Sequence, residues 1–282
     1  MSDPDPEAEI KRILVAIDAS PDSLAALEAA AEMAARLEAE LLGLFVEDIN
    51  LIRLGELPIA REIGYPSAIR RESGELGIER SLRAVAARAR EALASTAERM
   101  KLRWSFRVER GPVTSVLLEA APAADLIVVG RISRSTGSRA RLGSTARALV
   151  TQTPSSLFVI HPRSPSNHPV LVVYDGSPAS RRALEFAAHL EQPARDGLIV
   201  LVLADEPQAV QRLEREAGER LKEHGVVPAY RRMARVSASD LVRMAKRDRA
   251  GALVLSGVNR LAEGPKVAEL VDQLDCTVFL VR

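Results

Sequence analysis

The residues best suited to chemistry lie between Gly130 and Thr145. Gly130-Arg131-Ile132-Ser133-Arg134 opens the segment, and Arg139-Ala140-Arg141-Leu142-Gly143-Ser144-Thr145 closes it. Arg131, Arg134, Arg139 and Arg141 stand in this stretch and no acid does. Gly143-Ser144-Thr145 precedes a helical pattern, so it offers unpaired backbone N–H groups at the positive end of a helix dipole. The hydroxyls of Ser144 and Thr145 add donors, and glycine at 130 permits a tight exit from a strand. Such a set suits a polyphosphate better than a neutral ligand. Asp18 ends an apolar run and brings one carboxylate, which can accept from a ribose hydroxyl or help hold a magnesium ion beside phosphates.

Each of these residues also has a plainer reading. Asp18 can brace a turn, and Ser20 and Ser177 read first as helix caps. Gly143-Ser144 alone is a common helix start, and an arginine-rich loop can simply be solvated. The spacing from Gly130 to Ser144, placed after an apolar strand, is what favours a ligand.

The surrounding pattern supplies the elements that hold these residues. Lys11–Asp18 reads as a strand buried on both faces. Ser20 and Pro21 start a helix, with Leu24, Leu27 and Met33 forming its apolar face among alanines. Strands follow over Leu41–Glu47, Trp104–Glu109, Leu126–Gly130 and Ser156–His161. Helices fall over Glu75–Met100, Pro112–Ala121 and Ser144–Gln152. Asp48 to Gly74 reads as a long loop with a short helix; loops of that length are usually functional or mobile. Alternation of strands and helices predicts a parallel sheet covered on both faces. In such sheets ligands bind beyond the carboxyl ends of the strands, where Asp18, Phe45-Val46-Glu47 and the Gly130–Thr145 segment all emerge.

The chain also repeats itself. Between Leu14 and Ala30, ten of seventeen positions recur 157 residues later, Asp175-Gly176-Ser177-Pro178 matching Asp18-Ala19-Ser20-Pro21. A repeat this long is a duplicated domain. With 282 residues, two domains are expected, one over residues 1–164 and one over 165–282, joined by the Pro- and Ser-rich stretch from Pro162 to Pro169. Second-half strands are expected near Val170–Tyr174, Leu198–Ala204, Val226–Tyr230, Ala252–Leu255 and Thr277–Val281.

Composition narrows the function. A net charge of +1 and 3% aromatic residues offer neither the field nor the stacking platforms of a nucleic-acid binder. The apolar runs are strand-sized, so no membrane span is expected. The single cysteine, Cys276, and an acidic, proline-containing start without a leader pattern predict a cytoplasmic protein. His161, His168, His189 and His224 lack metal-ligand spacing. Neither a Walker A nor a G-x-G-x-x-G motif is present.

Strand–Asp-x-Ser, followed by strand–Gly-x-x-(Gly)-x9-Gly-(Ser/Thr), resembles the universal stress protein family, and the resemblance extends over both halves. It implies two tandem Rossmann-like domains of the adenine nucleotide alpha hydrolase type, each a five-stranded parallel sheet flanked by helices. It also implies an ATP, ADP or AMP site in the first domain. There Asp18 would face the ribose or a magnesium ion, and Ala16 and the backbone near Phe45 would line the adenine. Gly130, Arg131, Ser133, Gly143, Ser144 and Thr145 would hold the phosphates. The family's second glycine is Ser133 here. If that position needs positive φ, serine costs on the order of 1 kcal/mol, or roughly fivefold to tenfold in affinity.

In the second half Gly257 and Gly264 are seven residues apart, against thirteen between Gly130 and Gly143, and Pro265 replaces a hydroxyl residue. That half is expected to keep the fold without the phosphate site. The resemblance further implies an internal pseudo-dimer through the last strand of each half, a homodimer of chains, and a regulatory, stress-response role with a protein partner of unknown identity. A nucleotide-free interaction scaffold and a slow ATP hydrolase are the alternatives; no positioned base or paired carboxylates favour the enzyme.

Overall fold

The computed structural model describes residues 10–55, 61–63, 70–72, 75–132, 142–162, 164, 167–190, 197–234, 237–256 and 265–282. The first half runs β1 (Arg12–Ala16), α1 (Pro21–Leu37), β2 (Glu40–Asp48), α2 (Ile49–Gly55), β3 (Arg61–Ile63), β4 (Arg70–Glu72), α3 (Glu75–Arg99), β5 (Trp104–Gly111), α4 (Val113–Ala120), β6 (Leu126–Gly130), α5 (Ser144–Gln152) and β7 (Ser156–Ile160). The second runs β8 (Val170–Tyr174), α6 (Pro178–Leu190), β9 (Leu198–Leu203), α7 (Pro207–Glu223), β10 (Ala229–Met233), α8 (Ala238–Arg247), β11 (Ala252–Ser256), α9 (Pro265–Gln273) and β12 (Thr277–Val281).

Ten strands form one sheet in the order β10-β9-β8-β11-β12-β7-β6-β1-β2-β5. Read outward from its middle, each half has the same doubly wound order. Within this sheet pairing is parallel in each half and antiparallel only at the β7–β12 seam, where Phe158 lies opposite Phe279. The seam therefore joins the last strand of each half, as expected.

Alternate residues of the strands feed two continuous apolar layers. Ile13, Val15, Val128, Phe158, Val172 and Phe279 face the layer covered by α1, α3, α6 and α7. Leu14, Ile127, Leu157, Leu171, Leu253 and Leu280 face the layer covered by α4, α5, α8 and α9. Both layers cross the seam without a break, so the halves share one core. At the seam the rings of Phe158 and Phe279 lie 5.1 Å apart, and Phe279 stacks on Phe186 at 3.6 Å. No described helix is long and apolar enough to cross a membrane.

Three readings of the sequence need correction. Leu24 is 37% exposed and lies off the buried face of α1, which is made by Ala26, Leu27, Ala30, Ala31, Met33 and Ala34. The insertion after Asp48 carries the expected short helix α2, but also an antiparallel β3–β4 pair rather than only loop. β10 begins at Ala229, three residues later than expected. Gly225 adopts φ 70 after α7, the Val226 N–H returns to Leu221 O, and Pro228 has no N–H to give a ladder; Val226-Val227-Pro228 is thus the approach to the strand.

Candidate functional site: a cleft at the carboxyl edge of the first half

A cleft of about 360 Å³ opens at the carboxyl ends of β1, β2 and β6, within the size range of small-molecule sites. Seven residues singled out from sequence line it: Ala16, Asp18, Phe45, Gly130, Arg131, Gly143 and Thr145. Ser144 does not; it is exposed in the first turn of α5. Ser133, with Arg134, Arg139 and Arg141, lies outside the described residues.

Asp18 is placed by a turn that follows from its own sequence. Its Oδ1 accepts the Ser20 N–H at 2.9 Å, and its N–H donates to Ser23 Oγ at 3.2 Å. Ser20 Oγ in turn accepts the Ser23 N–H and caps α1. Asp175, Ser177 and Ser180 repeat the arrangement at 3.0, 3.4 and 3.1 Å. For Asp175, burial pushes the carboxyl pKa up, but the bonds from Ser177 and Ser180 outweigh it and hold it below the usual value. The bracing role of the aspartate is thus common to both halves, whereas the cleft lies beside Asp18.

Gly130 has a reason that differs from the one read in the sequence. A Cβ there would sit 2.7 Å from the carbonyl carbon and oxygen of Asp22. The glycine lets the first turn of α1 press against the end of β6, and Asp22 Oδ2 then accepts the Ile132 N–H at 3.0 Å. One turn of α1 thereby sets both Asp18 and the exit of β6.

The Arg131 backbone forms the base of the expected phosphate segment. Its N–H donates to Ile160 O at 3.1 Å, and its carbonyl accepts the Gly143 N–H at 2.9 Å. The side chain corrects the expectation. It is 5% exposed and runs into the second half, where Nη1 donates to Leu274 O at 2.5 Å and Nη2 to Asp272 O at 2.8 Å. The guanidinium satisfies carbonyls at the end of α9, so those donors are not aimed at the cleft. At the other side of the segment, α5 starts at Gly143 with φ −63 and ψ 157 and no side-chain cap. Among the described residues, its first-turn amides and Thr145 are what this edge presents to an anion.

The opposite wall is apolar and was largely missed in the sequence. Val46 extends β2, Leu51 comes from α2, Leu82 and Val85 from α3, and Val113 and Leu117 from α4. α3 is braced there by Arg110, whose guanidinium bonds Glu47 of β2 at 2.9 Å and Glu79 of α3 at 3.1 Å. Asp48 also lines the cleft, its Oδ1 accepting the Asn50 N–H at 2.9 Å as α2 begins. The apolar start of the insertion, Ile49-Asn50-Leu51-Ile52, was the one signal that could have placed α2 at the site. The cleft thus combines an apolar wall, a carboxylate and a helix N-terminus. Among the described residues no group of three His, Cys, Asp or Glu could hold a metal ion. A magnesium ion would rely on Asp18 and on phosphate oxygens, which is that ion's usual manner of binding.

The chain was compared with known proteins. The sequence model described as the universal stress protein family matches residues 9–161, more than half of the chain. A universal stress protein of Mycolicibacterium smegmatis is 30% identical over 100 residues, 34% of this chain and 33% of that protein. The match thus spans about a third of that relative's length. Among solved structures, a universal stress protein from Archaeoglobus fulgidus has a TM-score of 0.68 at 16% identity, with 96% of this chain and 98% of that chain covered. A functionally unknown protein from Pseudomonas aeruginosa PAO1 has a TM-score of 0.56 at 15% identity, with 98% and 93% covered. The two structures share the fold along essentially the whole chain, and the matched region contains the cleft: the chain belongs to the universal stress protein family.

Proposed function

We propose that the first half binds one adenine nucleotide in the cleft and that the protein acts by presenting its bound and free states to a partner. The observation that carries this reading is the convergence of an apolar slot, the Asp18 carboxylate and the uncapped start of α5 on one 360 Å³ cleft. The adenine ring would lie between Phe45 and Val46 on one side and the apolar residues of α2, α3 and α4 on the other. Asp18 would accept from the ribose or share a magnesium ion, and the first turn of α5 would meet phosphate. Gly130, Gly143 and Thr145 would shape that end, with Ser133 and Ser144 as further donors.

The test is to denature the purified protein and run the supernatant on an ion-exchange column. ATP, ADP or AMP in the supernatant supports the reading. Their absence, with no thermal shift on adding Mg-ATP, overturns it. A second reading, a nucleotide-free scaffold, is favoured by one observation: the Arg131 guanidinium and the Ile132 and Gly143 amides all bond the protein itself. A phosphate-release assay on wild type and Asp18→Ala separates a binder from a slow hydrolase; equal background rates leave only the binder.

A further inference from the structure

Arg131 belongs to both halves at once. It lines the cleft, and its backbone ties the end of β6 to β7 and to Gly143. Its buried side chain holds the carbonyls of Asp272 and Leu274 at the end of α9. The donors of a guanidinium are fixed in a planar fork, so both bonds are kept together only while the group holds its place and orientation. A shift of the Arg131 backbone has to be absorbed by the torsions of this buried side chain, strain its two bonds or carry the end of α9 along. Cys276, two residues beyond Leu274, is 4% exposed and lies in the same apolar layer as α9. Arg131 is close enough to act electrostatically on its thiol. A second arginine crosses the seam in the opposite sense: the Arg282 guanidinium donates to Val150 O at 2.6 Å and to Thr153 O, at the far end of α5.

We propose that Arg131 is a positioning residue through which occupancy of the first-half cleft is transmitted to the end of α9 in the second half. The inference rests on the nucleotide reading above. It deepens that reading by naming what the bound state changes: the packing of Leu274–Cys276, which begins 143 residues beyond Arg131 in sequence. Coupling is reciprocal, so holding α9 in place also supports the cleft.

Cys276 is the chain's single thiol, so it reports on this region alone. The experiment measures alkylation of Cys276 by a maleimide in the intact native chain, with and without saturating ATP, while a fluorescent ATP analogue measures binding separately. In wild type, nucleotide is expected to change the labelling rate by on the order of fivefold or more. Arg131→Gln is expected to keep detectable binding, weakened severalfold, and to abolish the nucleotide-dependent change. Arg131→Lys, which retains charge but not the fork, serves if the glutamine variant does not fold. Arg147→Gln removes the 3.8 Å Arg147–Asp272 contact between α5 and α9 and is expected to leave the change intact, which a merely structural weakening of the seam would not. Binding without any change in labelling, or a change that persists in the Arg131 variant, overturns the inference alone. Failure of the analogue to bind wild type overturns the nucleotide reading and this inference with it.

Discussion

Gly130 shows how much one missing methyl group decides at this site. Its value lies in close approach to Asp22 rather than in turning freely, which a sequence cannot distinguish. Gly130→Ala is expected to destabilise the protein by about 1–3 kcal/mol, as overpacking does, and to weaken nucleotide binding because α1 and β6 separate; urea denaturation and ligand titration read the two effects. The repeat supplies a cleaner comparison. Ala19 holds φ 55 where its counterpart Gly176 holds φ 77. An L-residue in that region costs ~1–2 kcal/mol, and glycine returns ~0.4–1 kcal/mol through the freer unfolded chain. Ala19→Gly is therefore expected to gain about 0–1.6 kcal/mol. Gly176→Ala is expected to lose more, because its Cβ would lie 2.5 Å from Leu213 Cδ2. Urea midpoints that move in the same direction would contradict this. Burial pushes the Cys276 thiol from 9.0 up to about 12. A folded-state value raised above the unfolded one gives a contribution that is complete below pH 9 and lost as pH rises toward 12. The unfolding midpoint is expected to fall faster with pH above 9 in wild type than in Cys276→Ala.

At the scale of elements, most of what positions the cleft was legible in the residues. The limits of β6, α5, β8 and β12 follow directly from apolar runs bounded by Gly, Ser, Asp and Pro. Asp18, Gly130 and Gly143 could be brought together because parallel strands deliver their carboxyl ends to one edge. The apolar wall was not legible, because α2, α3 and α4 reach the cleft through tertiary packing that leaves no spacing in the sequence. The direction of Arg131 was equally hidden: arginine beside glycines reads as an anion ligand, yet the acceptors lie 141 and 143 residues away. The newly found wall gives its own test. Leu51 is 41% exposed and lines the cleft from α2. Leu51→Asp is expected to leave stability within about 0.5 kcal/mol, as exposed changes do. Facing an adenine, its carboxylate would weaken binding about tenfold, or 1.4 kcal/mol. Unchanged affinity in a fluorescence titration would remove α2 from the base slot.

The whole molecule is a ten-stranded sheet with a single antiparallel junction, and both of its apolar layers run through that junction. The outer strands β5 and β10 carry Arg107, Glu109 and Arg110, and Arg231 and Arg232, charges that discourage edge-to-edge pairing. Phe279 packs on rings from both halves. Phe279→Ala is expected to cost roughly 3–5 kcal/mol and to lower one calorimetric transition of the entire chain; two separated transitions would show that the halves unfold alone. The described residues at the carboxyl edge differ between the two halves. In the first, the carboxyl edge opens as a cleft; in the second, Tyr174 is wholly buried at the corresponding strand end and Leu213 packs over Gly176. Equilibrium dialysis of the native chain against labelled ATP decides the matter. One nucleotide bound per chain, lost when Gly130 and Leu51 are both replaced in a chain that still folds, is the expected result. No binding, or binding untouched by those replacements, would contradict the assignment of the first-half cleft.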